Sequence, residues 1–323
     1  MTRFHGYKNL PILFFPFILV GIAAAASRDP RLLSLVPPGA QLVTGISASS
    51  IQGQPDNFVL MTHNNWIDLE DFFALTGVDG TRIIHQIVLV AVANADGLPN
   101  DHSLLVSGHF DQPHVFKSAA DGGAALTSYR RIPVLEIQPF ARERGTFNDV
   151  RWLAVPDSSI VVFGNVASAR LELDRYLAHS RPEESLLRRL GRLRSKDQTW
   201  CLLSASVRTL PSLTRGHEIQ NVLAELNPEL AELAQSGNEL EFGLHYGRRV
   251  EFEYEVTFAS NEASRDGPDS PRESPVEPAR SASLLPTLNI AGDSNNRHGV
   301  IEISISRYET WLVRFRGGRF PVD

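Results

Sequence analysis

The sharpest chemical pattern in the chain is Ser107–Phe116 (SGHFDQPHVF), where His109, Asp111 and His114 make an H-x-D-x-x-H spacing. Two imidazoles and a carboxylate are the donor types of a catalytic zinc site, which needs three protein ligands and an open position for water. On that chemistry the chain would be a hydrolase with a metal-assisted site at His109, Asp111 and His114. The same letters also suit a strand–cap–helix junction. On a strand, Val106, Gly108 and Phe110 share one side, opposite to His109. Asp111 then falls at a helix N-cap, and Pro113 in the first turn, where a missing N–H costs little. His114 rides three residues past the cap, with nothing forcing it toward His109. The junction is the preferred reading, so no residue is assigned as catalytic, cofactor-binding or metal-binding, and no cofactor is called for.

Other chemistries find less support. GISAS (Gly45–Ser49) lacks the closing glycine of a nucleophile elbow. There is no Walker A loop, no G-x-G-x-x-G and no H-E-x-x-H; His217-Glu218 has no second histidine four residues on. Cys201, the single cysteine, lies in the apolar stretch WCLLSAS, a setting for a buried structural thiol rather than a nucleophile. His85 sits within an apolar strand, and His63, His102, His179 and His298 fall in loops or at element ends. Glu251, Glu253 and Glu255 alternate with apolar residues, as on the solvated face of a strand. Asp68, Glu70 and Asp71 suit the first turns of a helix, and the aspartates at 79, 101, 121 and 157 suit turns. The basic run Arg188–Lys196 follows Glu183 and Glu184, which is ordinary complementarity to a helix dipole. It is also the one stretch suited to an acidic protein partner or lipid headgroups.

The elements that must position these residues begin after an address. Arg3 and Lys8, the apolar Leu10–Ile22 and the run Ala23–Ala26 form a signal peptide over residues 1–26, with Ser27 as the new N-terminus. The alternative is a membrane anchor through residues 10–26, although the apolar run is short for a span and contains Pro11 and Pro16. Removing the leader takes the formal net charge from −6 to −8. That excludes a general attraction to nucleic acid, and membrane contact is expected only if the leader is retained. A lone cysteine gives no intrachain disulfide, so stability must come from a core.

Strands are expected at Gln41–Ile46, Arg82–Ala93 (central, being almost continuously apolar), Ser103–Phe110 and Tyr129–Ile137 (near an edge, because of Pro133). Val150–Asn165 reads as a hairpin about a Pro-Asp-Ser-Ser turn. Helices are expected over Asn65–Thr76, ended by Gly77; Gln112–Ala120; Val166–Leu177, capped by Asn165 with Val166, Ala169, Leu173 and Leu177 inward; and from Pro182, burying Leu186, Leu190 and Leu193. A strand at Thr199–Val207, a broken helical segment over 213–235, a hairpin turning near Gly247, a strand at Gly299–Ser306 and a final helix make up the rest. Ser260–Ser283, rich in Ser, Pro and charge, is expected to be disordered.

Both halves run strand, helix, two strands, a middle element, strand, helix. The fold class is therefore α+β: antiparallel or mixed sheets with helices packed on one face, in two degenerate repeats. The units are 27–196 and 197–323, the second interrupted by an excursion at 260–285. LLSLVPPGAQLVTGI, TGVD, LLVSGHFD and IVVFGNVASARLELDRYL resemble exported bacterial proteins of unknown function built from tandem α+β units. The resemblance covers Leu33–Leu177. It implies export and the tandem fold, and carries no activity. The expectation is an exported, non-enzymatic scaffold or binding protein of the periplasm or external medium, with a protein partner as the kind of ligand to look for.

Overall fold

A computed structural model describes residues 28–47, 69–78, 83–92, 101–138, 149–195, 197–204, 232–233, 237–246, 249–258, 289–292 and 296–303. The expected signal peptide, the start of the helix expected from Asn65, the broken helical segment over 213–235 apart from 232–233, the excursion at 260–285 and the last expected helix lie outside them.

The described strands are β1 (Ala40–Ser47), β2 (Ile84–Val92), β3 (Asp101–Gly108), β4 (Ala125–Tyr129), β5 (Ile132–Ile137), β6 (Arg151–Asp157), β7 (Ile160–Asn165), β8 (Thr199–Leu203), β9 (Glu239–Tyr246), β10 (Val250–Thr257), β11 (Asn289–Gly292) and β12 (Asn296–Ile303). The helices are α1 (Pro30–Leu35), α2 (Leu69–Thr76), α3 (Gln112–Asp121), α4 (Val166–Leu177) and α5 (Glu184–Arg192). These strands join one sheet in the order β11-β12-β10-β9-β8-β1-β2-β3-β7-β6-β5-β4. Every pairing described in it is antiparallel. The sheet crosses from the first half to the second through β1 and β8, with Val43 opposite Leu202 and Gly45 opposite Trp200.

Alternation along the strands gives the sheet two apolar faces. The front buries Val43, Val88, Leu105, Val162, Trp200 and Leu202 beneath α1, α4 and α5, which supply Leu32, Ala169, Leu173, Leu186 and Leu190. The back buries Ile46, Leu104, Val106, Leu153 and Phe163 beneath α2 and α3, through Phe72, Leu75, Val115 and Ala119. The α+β class and antiparallel pairing hold, but helices pack on both faces rather than one. The strands β2, β3 and β7 are apolar on both sides, and each side must be covered.

Local chemistry sets many boundaries. Asp111 accepts from the backbone N–H of His114 and caps α3. Asn165 accepts from Ser168 N–H and caps α4. Gly77, at φ +66, ends α2 in a conformation that suits glycine. The expected strand at Tyr129–Ile137 is instead a hairpin. Arg130 and Arg131, at φ 46 and 73, turn the chain between β4 and β5, the positive-φ pair of a two-residue turn. Pro133 is tolerated because it lies beyond the last β5–β6 pair, Val134 with Ala154. A further strand not expected from the sequence, β11, pairs with β12.

Candidate functional site

Two groups of polar side chains on the front face, among the described residues, carry ionisable groups that α4 and α5 cover. One is a single carboxyl. Glu172 projects from α4 onto β3 and is fully buried, where the Ser103 hydroxyl hydrogen-bonds its Oε1. Gly164 is the register partner of Ser103. A Cβ at Gly164 would come within 2.6 Å of Ser103 Cβ, so glycine keeps room for the pair. The second oxygen, Oε2, is buried without a hydrogen-bond partner. Burial pushes the Glu172 carboxyl up to about 8, with the Ser103 hydrogen bond acting the other way. The group is therefore neutral at pH 7, which limits the cost of placing it among apolar atoms.

The second group is an array of arginines and carboxylates. On β10 Val250, Phe252, Tyr254 and Val256 are buried on the back. Glu251, Glu253 and Glu255 take the front, next to Glu239 and Glu241 of β9. Strand alternation alone predicts a solvated face for these acids. Instead α5 lies over them, and Glu241 and Glu253 are buried. Arg189 bonds Glu241 Oε1 at 2.7 Å and the Leu203 carbonyl at 2.8 Å. Arg192 approaches Glu255 at 3.5 Å. Arg194 donates to Glu251 at 2.5 Å and forms an ion pair with Glu253 at 2.7 Å. Arg28 holds the far end of the helix, donating to the carbonyls of Leu190 at 2.6 Å and Arg194 at 3.1 Å. Burial pushes the Glu241 carboxyl up although Arg189 and Arg192 pull it down. For Arg194 burial works downward, but Glu251, Glu253 and Asp197 outweigh it and raise its pKa. The basic run thus has an acidic surface to meet within its own chain.

The H-x-D-x-x-H residues do not converge. His109 is exposed and its ring packs edge-on against His85, centroids 4.7 Å apart. Asp111 is engaged as the cap. The His114 ring lies toward Gly77 at the end of α2. Among the described residues no group of three or more His, Cys, Asp or Glu side chains is arranged to hold a metal ion. Cys201 is buried, accepts from the Thr44 hydroxyl at 3.1 Å, and burial pushes its thiol up to about 12. His102 meets Arg151 Nη2 at 3.0 Å. His298 comes within 3.7 Å of Glu253, and His179 follows α4 at φ 48. Asp157 accepts from Ser159 and Tyr176, as a turn aspartate does. His63, Asp68, Asp79, His217 and Glu218 lie outside the described residues.

Glu172 escapes a reading that draws the helix face through hydrophobic letters alone. It stands three residues after Ala169, which is also buried, so position marks it as inward although residue type does not.

No protein-family model matches the chain, and no curated protein does. Among solved structures, crystal form I of TP0453 is similar, with a TM-score of 0.50, 12% sequence identity, and coverage of 90% of this chain and 99% of that one. At that identity the likeness concerns the fold alone.

Proposed function

We propose that the chain is an exported, non-enzymatic scaffold or binding protein. The observation that supports this best is how Glu172, Cys201 and the acids of β9 and β10, among the described residues, are engaged. Glu172 is sealed beneath α4, Cys201 is buried with a raised pKa, and the acids of β9 and β10 face arginines of the same chain. Catalytic groups must reach substrate with a pKa suited to the reaction; these groups hold the sheet and its helices together instead. Export rests on the leader-like residues 1–26 and on the resemblance to exported bacterial proteins. The destination is the periplasm or the external medium.

The tandem reading belongs with this proposal. The orders β1-β2-β3-β7-β6 and β8-β9-β10-β12-β11 match position by position, and the two series meet at the antiparallel β1–β8 pair. Two degenerate repeats related by a two-fold axis through that seam would produce this order. The test is a broad screen of the purified mature chain on ester, glycoside, phosphate and peptide substrates. No turnover is expected; turnover abolished by one substitution would overturn the reading. Amino-terminal sequencing should begin at Ser27, and a start at Met1 would reject cleavage.

A further inference from the structure

The edge of the sheet at β4 is built differently from a protected edge. Its residues Ala125, Leu126, Thr127 and Ser128 are exposed on both faces, Leu126 at 69%. Natural sheets blunt their edges with charge, proline or bulges. Ala125–Tyr129 contains no charge and no proline, and it pairs with β5 without a register shift.

The turn fixes which backbone groups are open. In a hairpin with a two-residue turn, the flanking residues Tyr129 and Ile132 exchange both hydrogen bonds. Alternation then directs Thr127 and Ala125 inward to β5, and turns the N–H and C=O of Leu126 and Ser128 outward. We propose that this edge pairs with the β4 of a second copy of the chain, antiparallel, about a two-fold axis at Thr127. Leu126 of each copy then lies opposite Ser128 of the other as a hydrogen-bonded pair, and the two Thr127 residues face each other as a non-hydrogen-bonded pair.

Charge favours this occupant and register. The pairing brings Arg131 opposite Gly123 of the second copy, beside the point where α3 ends. Asp121 is exposed there, its carboxylate shared with Lys117 of the same helix at 2.9 Å, and the last turn of α3 carries no basic residue. Arg131 is exposed, whereas Arg130 is held by Asp174 at 3.2 Å. A cation set against a helix C-terminus and an aspartate is favourable, and the symmetry supplies the contact twice. The inference does not depend on the scaffold reading, because an enzyme could pair in the same way. The strands are short, so the association belongs to the weak, concentration-dependent class.

Thr127→Cys tests the register directly. Facing Cα atoms in a non-hydrogen-bonded pair stand about 4.5 Å apart, inside the disulfide range, while Cys201 is buried. Under mild oxidation the mature Thr127→Cys chain should form a disulfide-linked dimer, and wild type should not. Wild type should sediment with a dimer fraction that grows with concentration. Ser128→Pro removes an outward N–H and no β4–β5 bond, so adding it to Thr127→Cys should abolish the cross-link. The inference fails if wild type sediments as a monomer throughout, if Thr127→Cys does not link, or if it links equally with Ser128→Pro present.

Discussion

Replacing Glu172 with glutamine should make stability respond less steeply to pH. Unfolded, this carboxyl titrates near its ordinary value of 4.5; folded, burial holds it to about 8. Between those values the unfolded chain has released the proton and the native chain keeps it, so stability falls as pH rises. The slope is about 1.4 kcal/mol per pH unit for one proton. Integrated from the lower value to pH 7, the penalty is about 3 kcal/mol, a large share of a typical native stability of roughly 5–15 kcal/mol. Above pH 8 both states are ionised and the penalty stops growing. Glu172→Gln keeps the shape and the bond to Ser103 but puts an amide N–H₂ where Oε2 has no partner. That costs about 1–3 kcal/mol at every pH. The variant should therefore be less stable than wild type near pH 5 and more stable near pH 8. Urea unfolding followed by circular dichroism at unit pH steps measures the difference. A constant difference from pH 5 to pH 8 would refute the reasoning, because Glu172 would then titrate alike in both states.

Three further outcomes are expected. Cys201 should resist a thiol reagent at pH 8 in the native protein and react at once in denaturant, since burial keeps the thiolate scarce. Gly45→Ala should lower stability by about 1–3 kcal/mol or more, because a Cβ there would overlap the ring of buried Trp200 across the β1–β8 seam; thermal unfolding reads this. Asp111→Ala should cost about 1 kcal/mol as a lost cap, and isothermal titration should show no zinc binding that the substitution removes.

Much of the fold is legible in the sequence because its signals are local. Asp111 and Asn165 announce helix starts by their short polar side chains, Gly77 a helix end by its backbone freedom, and the almost continuously apolar run of β2 a central strand. β4 is not legible: ALTSY is exposed on both faces, so it shows no alternation of apolar and polar residues. The charged seam is half legible. Glu251, Glu253 and Glu255 do share a face, but the helical segment covering it comes from about sixty residues earlier in the chain, and period-two spacing cannot reveal what lies across the face. The order of the strands likewise depends on pairings between distant segments, such as β3 with β7 and β1 with β8.

The central claim is that the acidic face of β9 and β10 is an internal seam closed by α5, rather than a surface kept free for chemistry. The most direct test is a double-mutant cycle on Arg189 and Glu241, whose side chains are 12% and 0% exposed. Arg189→Met should cost about 3–5 kcal/mol, because it leaves a buried carboxylate without its main partner. Adding Glu241→Gln should recover much of that loss. The coupling energy in urea unfolding should stand well above about 0.5 kcal/mol; additivity within that margin would mean that α5 does not close the acidic face.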